Sequence, residues 1–424
     1  MKITRRHYAV DGRLFVIVAL LVCIAIFPAP SQAQADGAVP HEVVVKLKPG
    51  VDPRRIAAAY SLRLVDQFGT RPIFRMVITD GTTPTSKAGA LRNDPQGRIQ
   101  YAEPNYIGQT PEGRQRSAWF RGEQSNYTQQ WAPAKLELPQ AHTRTRGTGV
   151  RVAVLDTGVA QAHPALAGKL IRGYDFVDGD SNPAEVGVYG QDIAYGHGTH
   201  VAGLVALAAP DAKIMPLRVL DRSGAGNIWV LSEALGYAVN PDGNPVTNDG
   251  AHVINLSLSF TRPSDLLEDI IKEITCGDDD DDDDNCRVDN GRGVVVVAAA
   301  GNSGNTTPEY PAAEAKYAGI DGALAVAAST RSDTLASFSN RGDWVQIAAP
   351  GVNIVSSVPG GGYGAWSGTS MATPLTAGVA ALVRAAEPTF TSTDVVSRIV
   401  SNGQSIDGPV PKRLDATGAL NVSR

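Results

Sequence analysis

Hydrophobic and polar positions follow two rhythms along this chain. Between residues 40 and 107 the runs are short. EVVVKLK (42–48), PIFRMVIT (72–79) and IQYAEPNY (99–106) predict strands, and RRIAAAYSL (54–62) and residues 86–93 predict short helices, a small α+β unit. From Ile107 to about Gln130 the periodicity stops and Gly, Gln, Arg and Ser take over, which reads as an exposed linker. From about Trp131 longer apolar runs begin. Residues 150–156, 212–221, 251–259, 293–301, 323–329 and 344–349 predict buried strands. Residues 197–209, 228–239, 264–274 and 369–386 predict helices. Near-continuous apolar strands separated by helices imply an α/β fold with a parallel sheet covered on both faces.

The first 35 residues have another character. A basic start, the 14-residue apolar run LFVIVALLVCIAIF and Ala33-Gln34-Ala35 together predict a cleaved secretory signal. The run is short for a membrane span, which needs about 20 residues. An uncleaved anchor is the alternative, and Arg5-Arg6 leaves the export route open. The expected location is therefore outside the cytoplasm, extracellular or periplasmic. Cys23 leaves with the signal, and Cys276 and Cys286 then form an even pair in an exported protein, so a disulfide is expected around the run of seven aspartates. Net charge −5 and a pI near 5.8 give no support to nucleic-acid binding.

Candidate chemistry gathers at strand and helix ends, where open α/β sheets place their sites. Asp156 ends a strand, His197 opens the helix of GHGTHVAGL, and Ser370 opens another in SGTSMATP. His197 and His200 lie three apart, so metal ligation, a catalytic base and a structural pair compete. A serine nucleophile needs an imidazole to take its proton and a carboxylate to hold that imidazole. Asn302, after a buried strand and Gly301, could add a side-chain donor for an oxyanion beside the Ser370 N–H. A zinc pair of the H-E-x-x-H kind would want an acid where Gly198 and Thr199 stand.

LDTGV, GHGTHVAG, VVAAAGNSG and SGTSMATP, in the order Asp, His, Asn, Ser, resemble the motifs of the subtilisin-like serine peptidases. YDFVDGD and NTTPEYPA are similar to the thermitase-like branch. The resemblance implies a three-layer sandwich with a mostly parallel central sheet, preceded by a small α+β propeptide domain. It divides the chain into a signal (1–35), an inhibitory propeptide (36–110, with YAEPNY near its end), a linker (111–128) and a peptidase domain (129–424). It implies Asp156, His197 and Ser370 as the triad, Asn302 at the oxyanion, and His200 as structural. An α/β-hydrolase would instead need G-x-S-x-G and the order Ser, Asp, His.

The resemblance also implies a cleft in which substrate lies as an extended strand between Ser257-Leu258-Ser259 and Gly224-Ala225-Gly226. Ala299, Ala300 and Gly301 would form a pocket wall. Glu309 would stand at its floor and favour Arg or Lys before the cut, unless it swings to solvent. Asp175, Asp178 and Asp180, with Asn182, are the expected Ca²⁺ ligands, a structural ion. No cofactor is expected for catalysis. Expected partners are protein or peptide substrates and the chain's own propeptide, with no nucleic acid, no stable membrane span after signal cleavage, and a monomeric state. The alternative is a binding protein that keeps the fold without catalysis.

Overall fold

This computed structural model describes residues 37–112, 122–244, 247–276 and 288–423. The signal segment, residues 113–121, the aspartate run and Cys286 lie outside the described residues. No helix among the described residues is long and apolar enough to cross a membrane.

The N-terminal unit comprises β1 (Ala38–Leu47), α1 (Pro53–Ala59), β2 (Leu62–Gln67), β3 (Ile73–Ile78), α2 (Pro84–Arg92) and β4 (Ile99–Gln109). Both helices start on a polar cap followed by Pro: Asp52 accepts from the Arg54 N–H, and Thr83 from that of Ser86. The sequence reading ran the first helix on to Leu62. Instead the chain breaks at Ser61, which sits at positive φ, and Leu62 opens a strand. Side chains alternate across β1. Val43, Val45 and Leu47 join the unit's own core with Ile56, Phe74 and Leu91, while Val44 faces the rest of the molecule.

The larger unit contains β5 (Arg151–Asp156), β6 (Tyr174–Asp175), α3 (His197–Ala208), β7 (Lys213–Arg218), β8 (Ala225–Asn227), α4 (Ile228–Val239), β9 (Val253–Leu256) and α5 (Asp265–Thr275). It continues with β10 (Val295–Ala299), β11 (Ala323–Ser329), β12 (Ile347–Pro350), the hairpin β13 (Ile354–Val358) and β14 (Gly362–Trp366), α6 (Thr369–Ala386), α7 (Ser392–Ser401), β15 (Gln404–Ser405) and β16 (Lys412–Arg413). The central sheet has the order β15-β16-β12-β11-β10-β9-β5-β7-β6, parallel except for its last pair, β15 with β16. Val152 and Val154 face the layer holding Val201, Leu204, Leu375 and Val379 of α3 and α6. Ala153 and Leu155 face Leu231, Leu235, Leu267 and Ile271 of α4 and α5. This alternation gives the three layers. The predicted strand 323–329 is observed with those bounds, while most of the others are shorter, because the last residues of runs such as 251–259 leave the sheet to line the cleft.

The expected linker is partly structured. Gln124–Thr128 is helical, and the Tyr127 hydroxyl donates to the Gly203 carbonyl at 2.6 Å. The small unit docks on α4 and α5. Phe68 meets Trp229 edge-on at 5.9 Å, Lys46 pairs with Asp269 at 2.6 Å, and Asn105 accepts from the Trp229 N–H at 3.3 Å. Glu103 Oε1 accepts from Ser264 Oγ and the Leu266 N–H, both at 3.0 Å, at the start of α5. Burial nevertheless pushes the Glu103 carboxyl from 4.5 up to about 8. A carboxyl raised on docking supports docking fully below its free value and loses that support as pH rises through its docked value. Undocking of the N-terminal unit, read as its susceptibility to limited proteolysis, should therefore rise by about tenfold from about pH 5 to about pH 9. Glu103→Gln should flatten this response.

Candidate active site

Asp156 closes β5, buried, with Oδ1 accepting from the Thr157 N–H at 2.7 Å. His197 begins α3, and its Nδ1 lies 2.7 Å from the same Oδ1. The acceptor at Nδ1 sets the tautomer, with hydrogen on Nδ1 and Nε2 turned outward. Gly198 makes this approach feasible. A Cβ there would run into the Gly158 carbonyl and come within 3.1 Å of the Asp156 Cβ.

Ser370 opens α6, and its Oγ donates to Glu112 Oε2 at 2.7 Å. The same oxygen lies 3.2 Å from His197 Nε2. Asn302 Nδ2 donates to the other oxygen, Glu112 Oε1, at 2.9 Å. The Asn302 amide is oriented by Thr369, whose N–H and hydroxyl both donate to Asn302 Oδ1 at 2.9 Å. Gly368 leaves room for this carboxylate, since a Cβ there would displace the Glu112 side chain. Thus the structure brings Asp156, His197, Ser370 and Asn302 together, with one carboxylate of the preceding segment seated among them. Burial alone would lower His197, but Asp156 and Glu112 outweigh it and push its pKa up to about 10. An imidazolium between two carboxylates cannot accept a proton from serine.

His200 is different in kind. Burial, with the His197 charge beside it, pulls it down to about 3. Its Nε2 lies 3.1 Å from both the Ile354 and Gly364 carbonyls, and its ring stacks on Trp366 at 5.2 Å. This neutral histidine holds the β13–β14 hairpin against α3.

The cleft is filled by the chain itself. Residues Ile107–Gln109 pair with Ala225–Asn227, and the Thr110 N–H donates to the Gly224 carbonyl at 3.0 Å. On the other side Gln109 and Ser259 exchange backbone hydrogen bonds of 3.0 and 2.9 Å. Both expected flanking segments are therefore used, and β8 extends the five-stranded sheet β2-β3-β1-β4-β8 across the two units. Leu258 is buried in the core rather than facing the cleft, and Ser257 Oγ donates to the Ser370 carbonyl at 3.1 Å. The Ala299 and Ala300 side chains are buried too, so this wall can offer a ligand only backbone.

Glu309 does not swing to solvent. Its Oε2 accepts from Ser259 Oγ at 2.6 Å, and its Oε1 from Asn340 Nδ2 at 2.9 Å and Ser303 Oγ at 3.2 Å. It sits against Gly301, where a Cβ would overlap its carboxyl carbon. All three of these donors are neutral.

The expected calcium ligands do not converge. Asp175 and Asp178 turn to the Arg218 guanidinium at 2.7 and 2.5 Å, brought beside them by the β6–β7 pairing of Asp175 with Arg218. Asp180 Oδ1 accepts from the Asn182 N–H, and Asn182 Oδ1 accepts from Gln161. No group of three or more His, Cys, Asp or Glu side chains among the described residues is placed to hold a metal ion. Cys276 closes α5 at positive φ, and its expected partner Cys286 lies outside the described residues.

Sequence reasoning missed Glu112 and Arg218. Glu112 is the only acid between Tyr106 and Arg121, a signal that was available. Arg218 ends an apolar strand and gives no such signal.

A serine, an imidazole and a carboxylate converge at these ends of a parallel sheet, as in a serine endopeptidase of subtilisin-like fold. The chain belongs to the subtilase family: that family's model matches residues 147–418, and a model described as the fervidolysin N-terminal prodomain matches residues 28–105. It is 35% identical over 360 residues to a thermophilic serine proteinase of Bacillus sp. (strain AK1), covering 81% of this chain and 78% of that one. It is 40% identical over 266 residues to thermitase of Thermoactinomyces vulgaris, covering 60% and 82%. The crystal structure of fervidolysin from Fervidobacterium pennivorans, described as a keratinolytic enzyme related to subtilisin, superposes with a TM-score of 0.69 at 24% identity. That likeness covers 91% of this chain and 61% of fervidolysin, and shows the fold.

Proposed function

We propose that this protein is the zymogen of an exported serine endopeptidase in which Ser370 is the nucleophile, His197 the base and Asp156 its orienting carboxylate. The Asp156–His197 contact of 2.7 Å, with Ser370 and Asn302 converging on the one carboxylate of Glu112, carries this reading. Once residues 107–112 leave, Ser370 Oγ and His197 Nε2 face the position that Glu112 Oε2 held. Ser370 Oγ then attacks the scissile carbonyl carbon as its proton passes to Nε2. The oxyanion takes the place of Glu112 Oε1, held by Asn302 Nδ2 and the Ser370 N–H. The proton returns to the leaving amine, and water, deprotonated by His197, cleaves the acyl-enzyme.

The signal spans 1–35, the propeptide 36–110, the linker 111–128 and the peptidase domain 129–424, with a Cys276–Cys286 disulfide and a monomeric product. In the DFVDGD segment Arg218 supplies the counter-charge of Asp175 and Asp178 in place of calcium. The thermal midpoint should then be the same with EDTA as with millimolar Ca²⁺, and a calcium-dependent rise would restore the metal.

A buried carboxylate with three neutral partners beside Gly301 favours a cationic side chain before the cut, Arg or Lys. In a mixed peptide library, cuts should cluster after these residues. Glu309→Gln should reduce their preference over Leu by roughly 30- to 100-fold, the loss expected when one partner of a buried charge pair is neutralised. Cuts after large apolar residues by both forms would sink this preference.

A further inference from the structure

We propose that Glu185 is a positioning residue of the catalytic site: its carboxylate ties the strand end that carries Asp156 to the helix start that carries His197. The inference rests on the triad reading above. Glu185 lies in the segment between β6 and α3, in NPAEVGVYG, outside every motif of the sequence. Its Oε1 accepts from the Thr157 hydroxyl at 2.7 Å. Its Oε2 accepts from the Thr199 hydroxyl at 2.9 Å and the Thr199 N–H at 3.1 Å. Thr157 follows Asp156 directly, and Thr199 stands two residues after His197.

The direction of these bonds is fixed by their neighbours. Thr157 Oγ1 accepts from the Gly198 N–H, and Thr199 Oγ1 from the Ala160 N–H, each at 2.9 Å. With those backbone donors pointing in, each hydroxyl turns its hydrogen toward Glu185. Glu185 thus receives these three donors and a backbone bond from Gly196, which suits the ionised, acceptor-only carboxylate. The chain is closed: Gly198 holds Thr157, Thr157 holds Glu185, Glu185 holds Thr199, and Thr199 holds Ala160. Both threonines are fully buried. The backbone keeps Glu185 in place, since its N–H donates to the Val159 carbonyl at 3.3 Å.

Two consequences follow. The closed chain fixes where β5 ends relative to where α3 begins, and so sets the 2.7 Å contact between Asp156 and His197. On the alkaline side of neutrality Glu185 also adds a second negative charge close to that of Asp156. The charged or titratable groups around it are Asp156 on β5, Tyr195 just before α3, and His197 itself. Burial, only partly offset by the threonine bonds, raises the Glu185 pKa to about 7, so its charge is fully present on the alkaline side of neutrality.

The test uses the mature enzyme. A fluorophosphonate acylating probe first counts reactive Ser370, and absence of labelling in the wild type would sink the triad reading itself. With labelling secured, Glu185→Gln should lower kcat by about tenfold with KM within about twofold. It should also make the acidic limb of kcat/KM less steep, because the wild type loses the Glu185 charge as pH falls through about 7, whereas Gln has no charge to lose. Glu185→Asp keeps the charge but is one methylene short of bridging both threonines, so kcat should fall while the acidic limb stays near the wild type. If Glu185→Gln proves unstable, Thr157→Val tests the same tie with the charge intact, and should lower kcat without changing the steepness of the limb. Unchanged kcat and an equally steep limb in folded Glu185→Gln would overturn the proposal, whereas a parallel loss of folded enzyme and labelling alone would make Glu185 a stability residue and overturn it equally.

Discussion

Replacing Ser370 with Ala is expected to lower kcat for peptide hydrolysis by about 10⁶ and to leave the chain uncut, as a single precursor band carrying its N-terminal unit. The magnitude is that found on removing the nucleophilic serine of a subtilisin. Its physical basis is visible here. Without Oγ, the atom that would bond the carbonyl carbon is gone, and His197 and Asp156 have no proton to move. Damage to the fold is not expected. The substitution removes the Ser370 Oγ bonds to Glu112 Oε2 at 2.7 Å and to the Ser257 carbonyl at 3.4 Å, but Ser257 Oγ still bonds the Ser370 carbonyl, and residues Ile107–Thr110 hold the cleft through backbone pairs that the substitution does not touch. The thermal midpoint should therefore stay close to the wild type. Activity surviving at a tenth of the wild type would remove Ser370 as the nucleophile, while a collapsed midpoint would instead point to a packing role for its hydroxyl.

The layers of the fold were legible because burial on both faces leaves apolar runs that no surface strand shows. Asp156, His197, Asn302 and Ser370 were legible because each sits within two residues of a glycine at an element end, where the local sequence must bend. What was not legible came from pairings between distant segments. Glu112 lies 258 residues from Ser370, in a stretch with no periodicity, and only the register of Ile107–Gln109 against Ala225–Asn227 carries it to the serine. The aspartates of DFVDGD read as a metal loop because their nearest cation in space, Arg218, arrives from the adjacent strand. Glu309 was placed near the pocket by resemblance, but its buried state depends on Ser259, Ser303 and Asn340, which three separate segments supply. Likewise the tie through Glu185 needs a loop, a strand end and a helix start at once. Local pattern fixes elements, while partners across the chain decide what a charged side chain does.

Asn302→Ala should lower kcat of the mature enzyme by about 10²–10³ with little change in KM, the range found when a side-chain oxyanion donor is removed from a subtilisin. The zymogen shows why the effect should fall on the transition state. Asn302 Nδ2 already donates to a carboxylate oxygen, Glu112 Oε1, at 2.9 Å. A neutral substrate carbonyl gains less from the same donor than the oxyanion that replaces it, so ground-state binding barely changes. The same substitution should weaken the hold on Glu112, since a hydrogen bond to a charged group contributes about 1.5–3 kcal/mol. The N-terminal unit should then be released about tenfold faster even as the liberated enzyme is slower. One structural effect has to be separated. Asn302 Oδ1 also receives the Thr369 N–H and hydroxyl, so Ala loosens the start of α6 and should cost about 1 kcal/mol of stability. Asn302→Asp retains that acceptor and loses the donor. If it restores the thermal midpoint while kcat stays down and release stays fast, the amide hydrogen is the active group. If it restores kcat, Asn302 only anchors α6, and the oxyanion must be held elsewhere.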